Sequence, residues 1–94
     1  MPWSIEFFPN EVDAISMAIN NEGWDATGDG HAWKSSEGRV NKPLPNKWKD
    51  NTQIHVYAAA VPRGKNASLR VLWDGLNRQT MDFDDDEDHD VSKP

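Results

Sequence analysis

Three histidines, His31, His55 and His89, carry the side chains of this chain that titrate near neutral pH. Each is therefore a candidate for proton transfer in general acid–base catalysis. His55 alternates with apolar residues, which favours a packed strand position over a catalytic one. His31 follows Gly28-Asp29-Gly30, a run typical either of an active loop or of a plain turn. His89 stands in an acidic segment, where we expect it to be solvated.

The acidic C-terminal segment invites comparison with calcium sites, because hard cations bind oxygen ligands. Its acids before residue 91 are Asp84, Asp85, Asp86, Glu87, Asp88 and Asp90. An EF-hand loop that began at Asp84 would need a glycine at its sixth position, where His89 stands. The three histidines also lack the spacing of metal ligands. The sequence therefore predicts no metal site and no cofactor.

The charges fall into three blocks that the formal net charge of −6 conceals. Residues 1–33 carry six acids and no lysine or arginine, residues 34–81 carry nine bases and three acids, and residues 82–94 carry seven acids and one lysine. Such a basic middle can form a surface for RNA or for a partner. Alternatively, its bases pair with the acids of the other two blocks. The bases assigned to this surface are Arg63, Lys65, Arg70 and Arg78.

The acidic segment leads to a second hypothesis about the same surface. Residues 84–90 lie over the basic surface or compete for it, because attachment to the last strand holds them nearby at a high effective concentration. In an acidic mimic of nucleic acid, the same residues would instead contact the partner directly. Removal of the segment distinguishes these two interpretations.

Five tryptophans are many for 94 residues. Trp3 and Trp73 lie in strand patterns, and we expect them to supply part of the core. Trp24, Trp33 and Trp48 lie in polar, loop-rich sequence, where an aromatic side chain can serve as an exposed contact. We assign Trp33 and Trp48 to a surface that binds a partner.

The first quarter of the chain predicts a strand followed by a helix. Residues 3–7 alternate apolar and polar side chains, as a half-buried strand does. Val12, Ile15 and Ile19 then recur at helical spacing, and a glycine follows them. The pattern predicts one amphipathic helix over residues 11–22.

The second half predicts a three-strand antiparallel meander over residues 54–83. The first of its strands, residues 54–61, is apolar on both sets of alternating positions, so we expect both of its faces to be covered. Asp74-Gly75 predicts a hairpin turn, because both central residues of a type I′ turn need a positive φ. The expected class is an α+β domain over residues 1–83, with a disordered acidic tail at residues 84–94.

The cysteine content and the hydropathy of the chain indicate its cellular compartment. The chain has no cysteine, so disulfides and thiolate metal sites are excluded. No apolar run has the length of a membrane span, and no basic-then-apolar leader precedes the first strand. We therefore expect a cytoplasmic protein without a membrane partner.

The order of strand, helix and meander resembles the RelE/ParE superfamily of small toxins. Its motifs correspond here to Trp3-Ser4-Ile5-Glu6-Phe7 and Leu69-Arg70-Val71-Leu72-Trp73-Asp74-Gly75, and His89 falls where many members have a histidine-rich turn. The resemblance implies a toxin–antitoxin, mobile-element or phage setting, an antitoxin as partner, and RNA cleavage without a metal. By position, it implies that Arg70 is a phosphate or transition-state contact and His89 the proton-transfer residue.

A second resemblance is to the HicA toxins, small RNases in which a glycine precedes the catalytic histidine. Gly23-Trp24 and Gly30-His31 stand at comparable places, and Gly38-Arg39-Val40 follows them. The resemblance implies that His31 is catalytic. It also implies a second helix, where this chain has the predicted meander.

These observations favour a small interaction protein on a RelE-like scaffold over an active nuclease. The reason is that acids crowd the region where family members place cationic catalytic groups, which raises the cost of binding a phosphate. One alternative is an acidic nucleic-acid mimic that occupies a basic site on a target protein. Another is a metal-independent endoribonuclease that acts on free or ribosome-bound mRNA. The expected partner is accordingly an antitoxin, a basic target protein or RNA.

Overall fold

Two antiparallel β-sheets make up the architecture. A computed structural model describes residues 3–8, 14–23, 32–34, 40–61, 68–83 and 85–94. In chain order the elements are β1 (Trp3–Phe8), β2 (Ala14–Ile19), β3 (Glu22–Gly23), β4 (Ala32–Lys34), β5 (Val40–Pro43), a 3₁₀ helix (Asn46–Trp48), β6 (Gln53–Val61), β7 (Ser68–Trp73), β8 (Leu76–Met81) and β9 (Glu87–Ser92). Sheet A has the order β5-β1-β7-β8, and sheet B has the order β3-β2-β6-β9, with β4 also paired to β2.

The predicted α+β class is wrong, because residues 14–19 form strand β2 within the range predicted as a helix. Ile15, Met17 and Ile19 are buried on one side of this strand, and Ser16 between them is exposed. Apolar residues occupy most positions here, so the segment fits the helical period as well as the strand period.

Among the residues that the structure describes, no helix has both the length and the apolar composition of a membrane span.

The turn after β2 explains why the strand pattern prevails. Asn20 and Asn21 have φ values of 50° and 65° and connect β2 to β3, whose pairing begins at Ile19 and Glu22. Positive φ at both central residues is the geometry of a two-residue hairpin turn, and asparagine tolerates it better than most residues. Asparagine is also common where a helix ends, so these two residues fit the predicted helix as well as the hairpin.

The predicted meander is also wrong, because its first two strands lie in different sheets. β6 pairs with β2 and β9 in sheet B, whereas β7 pairs with β1 and β8 in sheet A. The hairpin between β7 and β8 is confirmed, with φ values of 50° at Asp74 and 80° at Gly75. Local turn chemistry therefore identified one hairpin, but hydrophobicity did not identify which strands pair.

The C-terminal segment is ordered over most of its length, which contradicts the predicted disordered tail. Residues 87–92 form β9 and pair with β6 from Gln53–Ser92 to Ala58–Glu87. Val91 lies opposite Ile54 and is 2% exposed. Beyond the strand, the Lys93 N–H donates a hydrogen bond to the Thr52 carbonyl at 3.0 Å. One buried valine and the ladder with β6 thus anchor an otherwise polar strand.

Both sheets contribute to one hydrophobic cluster among the described residues. Its largest fully buried side chains include Phe7, Phe83, Ile5, Ile15, Ile54 and Leu69. Trp3 belongs to this cluster, as predicted, and its Nε1–H donates to the Asn51 carbonyl at 3.1 Å. The Trp73 ring packs edge-on against Trp3 with centroids 4.9 Å apart. Apolar burial of this kind is the main stabilising contribution available to a chain without disulfides.

Candidate functional site

Strand β6 has one buried and one accessible row of side chains. Ile54, Val56 and Ala58 face the core, and each is at most 1% exposed. His55 and Tyr57 lie on the opposite face, where they are partly accessible to solvent. The expectation that both faces of this strand are covered is therefore wrong. The outer face of sheet B carries the imidazole of His55 and the phenol of Tyr57.

Strand β9 adds acids to the same outer face. Asp88 and Asp90 are exposed and alternate with His89 and the buried Val91. The register places Asp90 opposite His55 and Asp88 opposite Tyr57. Alternation along β9 and pairing with β6 therefore bring two carboxylates to the two sides of one imidazole.

Both ring nitrogens of His55 contact a carboxylate. Nδ1 lies 2.8 Å from Oδ1 of Asp90, and Nε2 lies 2.6 Å from Oδ1 of Asp88. The Tyr57 hydroxyl donates to Oδ2 of Asp86 at 3.3 Å, next to this group. We refer to His55, Tyr57, Asp86, Asp88 and Asp90 as the His55 cluster. Both nitrogens can donate at once only in the protonated imidazolium, so the geometry favours the charged ring.

Asn20, in the turn after β2, fixes the position of the His55 backbone. The Asn20 N–H donates to the His55 carbonyl at 2.8 Å, and the His55 N–H donates to Oδ1 of Asn20, also at 2.8 Å. These bonds direct the backbone groups of His55 toward β2. His55 and Asp90 accordingly form a pair without mutual backbone bonds, in which side chains approach most closely in an antiparallel ladder.

The electrostatics of the cluster act on the histidine. The hydrogen bond to Asp90, assisted by the negative charges of Asp88 and Asp90, raises the pKa of His55 above its ordinary value, although desolvation opposes the shift. Because the carboxylates approach opposite sides of the ring, the three groups do not converge on one point. In keeping with this, no group of three metal-ligating side chains occurs in the described part of the chain.

The raised pKa of His55 predicts a pH-dependent contribution to stability. A histidine whose pKa is higher in the folded state stabilises that state below its unfolded pKa of about 6.5, and the contribution disappears as the pH rises through the folded pKa. The wild-type protein should therefore lose more thermal stability between pH 5.5 and pH 8 than His55→Gln does. Thermal unfolding of both proteins across this range measures the difference, which should shrink in high salt because the side chains are solvent-exposed. Equal pH profiles would contradict it.

The two residues that the RelE/ParE resemblance implies as catalytic lie in different sheets. Arg70 projects from the outer face of sheet A, where its Nη1 lies 3.5 Å from Oε1 of Glu6 and the guanidinium lies 5.4 Å from the centre of the Phe8 ring. His89 faces the opposite side of β9 from the His55 cluster, and its Nε2 lies 3.6 Å from Oε2 of Glu87. That nitrogen is buried and has no hydrogen-bond partner among the residues that the structure describes. The structure does not bring the two together as one reaction centre.

The basic surface is only partly described. Arg63 and Lys65 lie outside the described residues, and Arg70 is paired with Glu6 on sheet A. Arg78 contacts the C-terminal segment, since its Nε–H donates to the Ser92 carbonyl at 3.0 Å. This contact involves backbone rather than the acidic side chains. Asp88 and Asp90 of β9 contact His55. The hypothesis that residues 84–90 lie over the basic surface stays a prediction, because Arg63 and Lys65 are not described.

The remaining predicted residues are placed as follows. Trp48 is 7% exposed and part of the core, so it is not an exposed contact for a partner, and Lys47 lies 4.9 Å from its ring centre. The backbone of Trp33 lies in β4 opposite Ile15. Asp85 precedes β9, and Glu87 is partly buried on the inner side of that strand. His31 and Asp84 lie outside the described residues.

The sequence favoured a packed strand position for His55 over a catalytic one and assigned no role to Tyr57, although both residues belong to the His55 cluster. Their signal in the sequence is their alternation with Ile54, Val56 and Ala58, combined with the alternation of acids in β9. These two patterns indicate a shared site only when β6 and β9 are known to pair.

The chain matches no protein-family model, and comparisons with curated proteins and with solved structures find no significant match.

Proposed function

We propose that this protein is a non-catalytic binding module that engages a positively charged protein partner through the outer face of sheet B. The observation that carries the proposal is the fixed position of Asp88 and Asp90 on a paired strand, on either side of His55. Ordered carboxylates cost less entropy to bind than carboxylates on a disordered segment. This placement supports the acidic-mimic alternative, in which an acidic surface occupies a basic site.

The accessibility of the carboxylates supports the same function. The Asp88 and Asp90 side chains are each 62% exposed although both contact His55. Each carboxylate bonds the ring through Oδ1, and its second oxygen can accept a hydrogen bond from an incoming lysine or arginine. The Tyr57 side chain on the same face adds an aromatic contact of the kind that is enriched at protein interfaces.

RNA cleavage receives less support from the arrangement. Arg70 and His89 lie in different sheets, and Arg70 already contacts Glu6. The proposed binding function does not depend on the RelE/ParE resemblance, which implied a helix where residues 14–19 form a strand. Binding of a basic partner requires only the surface that β6 and β9 form together.

The charge of the cluster provides the test. The double variant Asp88→Asn/Asp90→Asn should bind a short lysine-rich peptide about tenfold more weakly than the wild type at low salt, because two exposed charge pairs are each worth up to about 1 kcal/mol. Isothermal titration or fluorescence anisotropy measures the dissociation constants. A short single-stranded RNA, titrated in parallel, should bind to neither protein.

A matched control removes the same charge elsewhere. Asp50→Asn/Asp74→Asn changes two exposed aspartates outside the His55 cluster, and asparagine is compatible with the φ of 50° at position 74. This control should retain the wild-type affinity for the peptide. If both double variants weaken binding equally, only the net charge matters and the proposed site is wrong. If RNA binds in preference to the peptide, the module recognises nucleic acid through its basic side chains instead.

A further inference from the structure

The pairing of β6 with β9 determines the direction of every backbone group in β9. The Lys93 N–H donates to Thr52, so Lys93, and with it Val91, His89 and Glu87, directs its backbone groups toward β6. The residues between them, Asp88, Asp90 and Ser92, direct their N–H and C=O groups away from β6. The two bonds between Asn20 and His55 agree with this assignment, because His55, the residue opposite Asp90, directs its own backbone groups away from β9.

These outward groups lie along an edge of sheet B. β9 is the last strand on its side of that sheet in the described part of the chain. At its C-terminal end, the Ser92 carbonyl accepts the bond from Arg78. The outward backbone groups of Asp88 and Asp90 bond to no other part of the described chain. An unpaired N–H and C=O row of this kind is the template to which an additional strand pairs.

We propose that the partner binds by strand addition, with an extended, positively charged segment pairing with β9 at Asp88 and Asp90. This rests on the proposed function and specifies its mode of recognition. The backbone groups would supply the ladder hydrogen bonds, and alternate lysine or arginine side chains of the segment would reach the two carboxylates on the outer face. The direction of the backbone groups indicates strand addition as the mode of binding. The acidic side chains indicate that the added strand is positively charged.

A second copy of this chain fits the same edge poorly. Antiparallel pairing of two β9 strands around residues 88–90 would place aspartates of one copy opposite aspartates of the other, and like charges directly opposite destabilise a strand pair. Charged residues on an edge strand are also a known means of preventing such self-association. Asp88 and Asp90 therefore disfavour pairing with a second copy of β9 and favour pairing with a basic strand.

Substitutions at Asp88 separate the contribution of the backbone N–H to peptide binding from the contribution of the carboxylate charge. Asp88→Asn and Asp88→Pro remove the same carboxylate, but only proline also removes the outward N–H, which the ladder with β6 does not use. The probe is a nine-residue peptide that alternates lysine with valine. Asp88→Pro should bind it about five- to tenfold more weakly than Asp88→Asn, which corresponds to one lost backbone hydrogen bond of about 1 kcal/mol. Thermal unfolding of both free variants verifies that β9 remains docked.

Hydrogen exchange on the wild-type protein gives a readout that needs no variant. In the free protein, the amides of Asp88 and Asp90 should exchange rapidly, whereas those of His89 and Val91 should be protected by the ladder. Saturation with the peptide should protect the Asp88 and Asp90 amides, and sedimentation should show a monomer throughout.

The outcomes distinguish this mode of recognition from the function on which it rests. If Asp88→Asn/Asp90→Asn weakens binding but Asp88→Pro equals Asp88→Asn and the two amides stay unprotected, the partner contacts the face and strand addition is overturned. If the peptide does not bind at all, the proposed function fails as well. If the protein dimerises with protection of the same amides, a second copy is the occupant and the basic segment is not.

Discussion

A chain that ends at Phe83 should fail to unfold cooperatively, although the sequence alone predicted a disordered tail at residues 84–94. Loss of β9 removes the ladder along Ile54 to Ala58 and leaves the core side of β6 without Val91. It also exposes the edge of a strand whose Ile54 and Val56 side chains are almost fully buried in the intact protein. In a small domain with a stability of about 5–15 kcal/mol, the loss of an entire strand is expected to exceed the margin.

Circular dichroism and thermal unfolding of the shortened chain measure this effect. The matched control is a chain that ends at Ser92, which keeps β9 and removes only Lys93 and Pro94. That control loses the bond from Lys93 to Thr52 and the contact between Lys93 and the Trp73 ring, 4.8 Å from its centre, and should still unfold cooperatively. A shortened chain ending at Phe83 with the wild-type unfolding midpoint would show that β9 is not an integral strand.

Replacement of Phe83 by alanine should lower the free energy of unfolding by about 3–5 kcal/mol. Its ring is fully buried, and the residue lies where the chain leaves β8 in sheet A for β9 in sheet B. Its φ is 64°, a conformation that a bulky residue adopts only when the surroundings enforce it. Alanine at this position has the same unfavourable backbone conformation but lacks the buried ring that compensates for it. The variant should therefore lose the whole stabilising contribution of the ring.

Urea-induced unfolding at neutral pH gives the free energy, and Leu76→Ala serves as the matched control. Leu76 is 59% exposed, and its truncation should change the stability by no more than about 0.5 kcal/mol. A loss below about 1 kcal/mol for Phe83→Ala would mean that the crossing between the two sheets is not held by this ring.

Local chemistry made part of this fold predictable. Residues 3–7 alternate apolar with polar side chains and form most of β1, and the β7–β8 hairpin has the turn residues that its geometry needs. Trp3 contributes to the core as its strand pattern indicates. β2 was interpreted as a helix because its apolar residues satisfy both periods, and the two asparagines that decide the matter resemble a helix end. The deciding factor was a two-residue turn rather than hydrophobicity.

The candidate site was less predictable, because it depends on pairing between distant segments. β9 contains one buried apolar residue, Val91, so its sequence has the composition of a solvated tail. Its order comes from β6, more than thirty residues earlier, which supplies the ladder and the hydrophobic surface for Val91. His55 was recognised as a strand residue, but which of its neighbours are acidic follows only from the register. Residues that gain their role from a cross-strand partner have no local signal.

The strand order of sheet A has a consequence for the synthesis of the chain. Trp3 pairs with Trp73, so β1 emerges from the ribosome seventy residues before its partner in the middle of the sheet. Topologies dominated by such distant pairings form slowly and leave apolar strand faces exposed meanwhile. The acids that accompany β1 and β2 in residues 1–33, with no lysine or arginine among them, give the nascent segment a uniform negative charge during that interval. We expect mutual repulsion between nascent chains to oppose association through Ile5 and Phe7 until β7 pairs with β1.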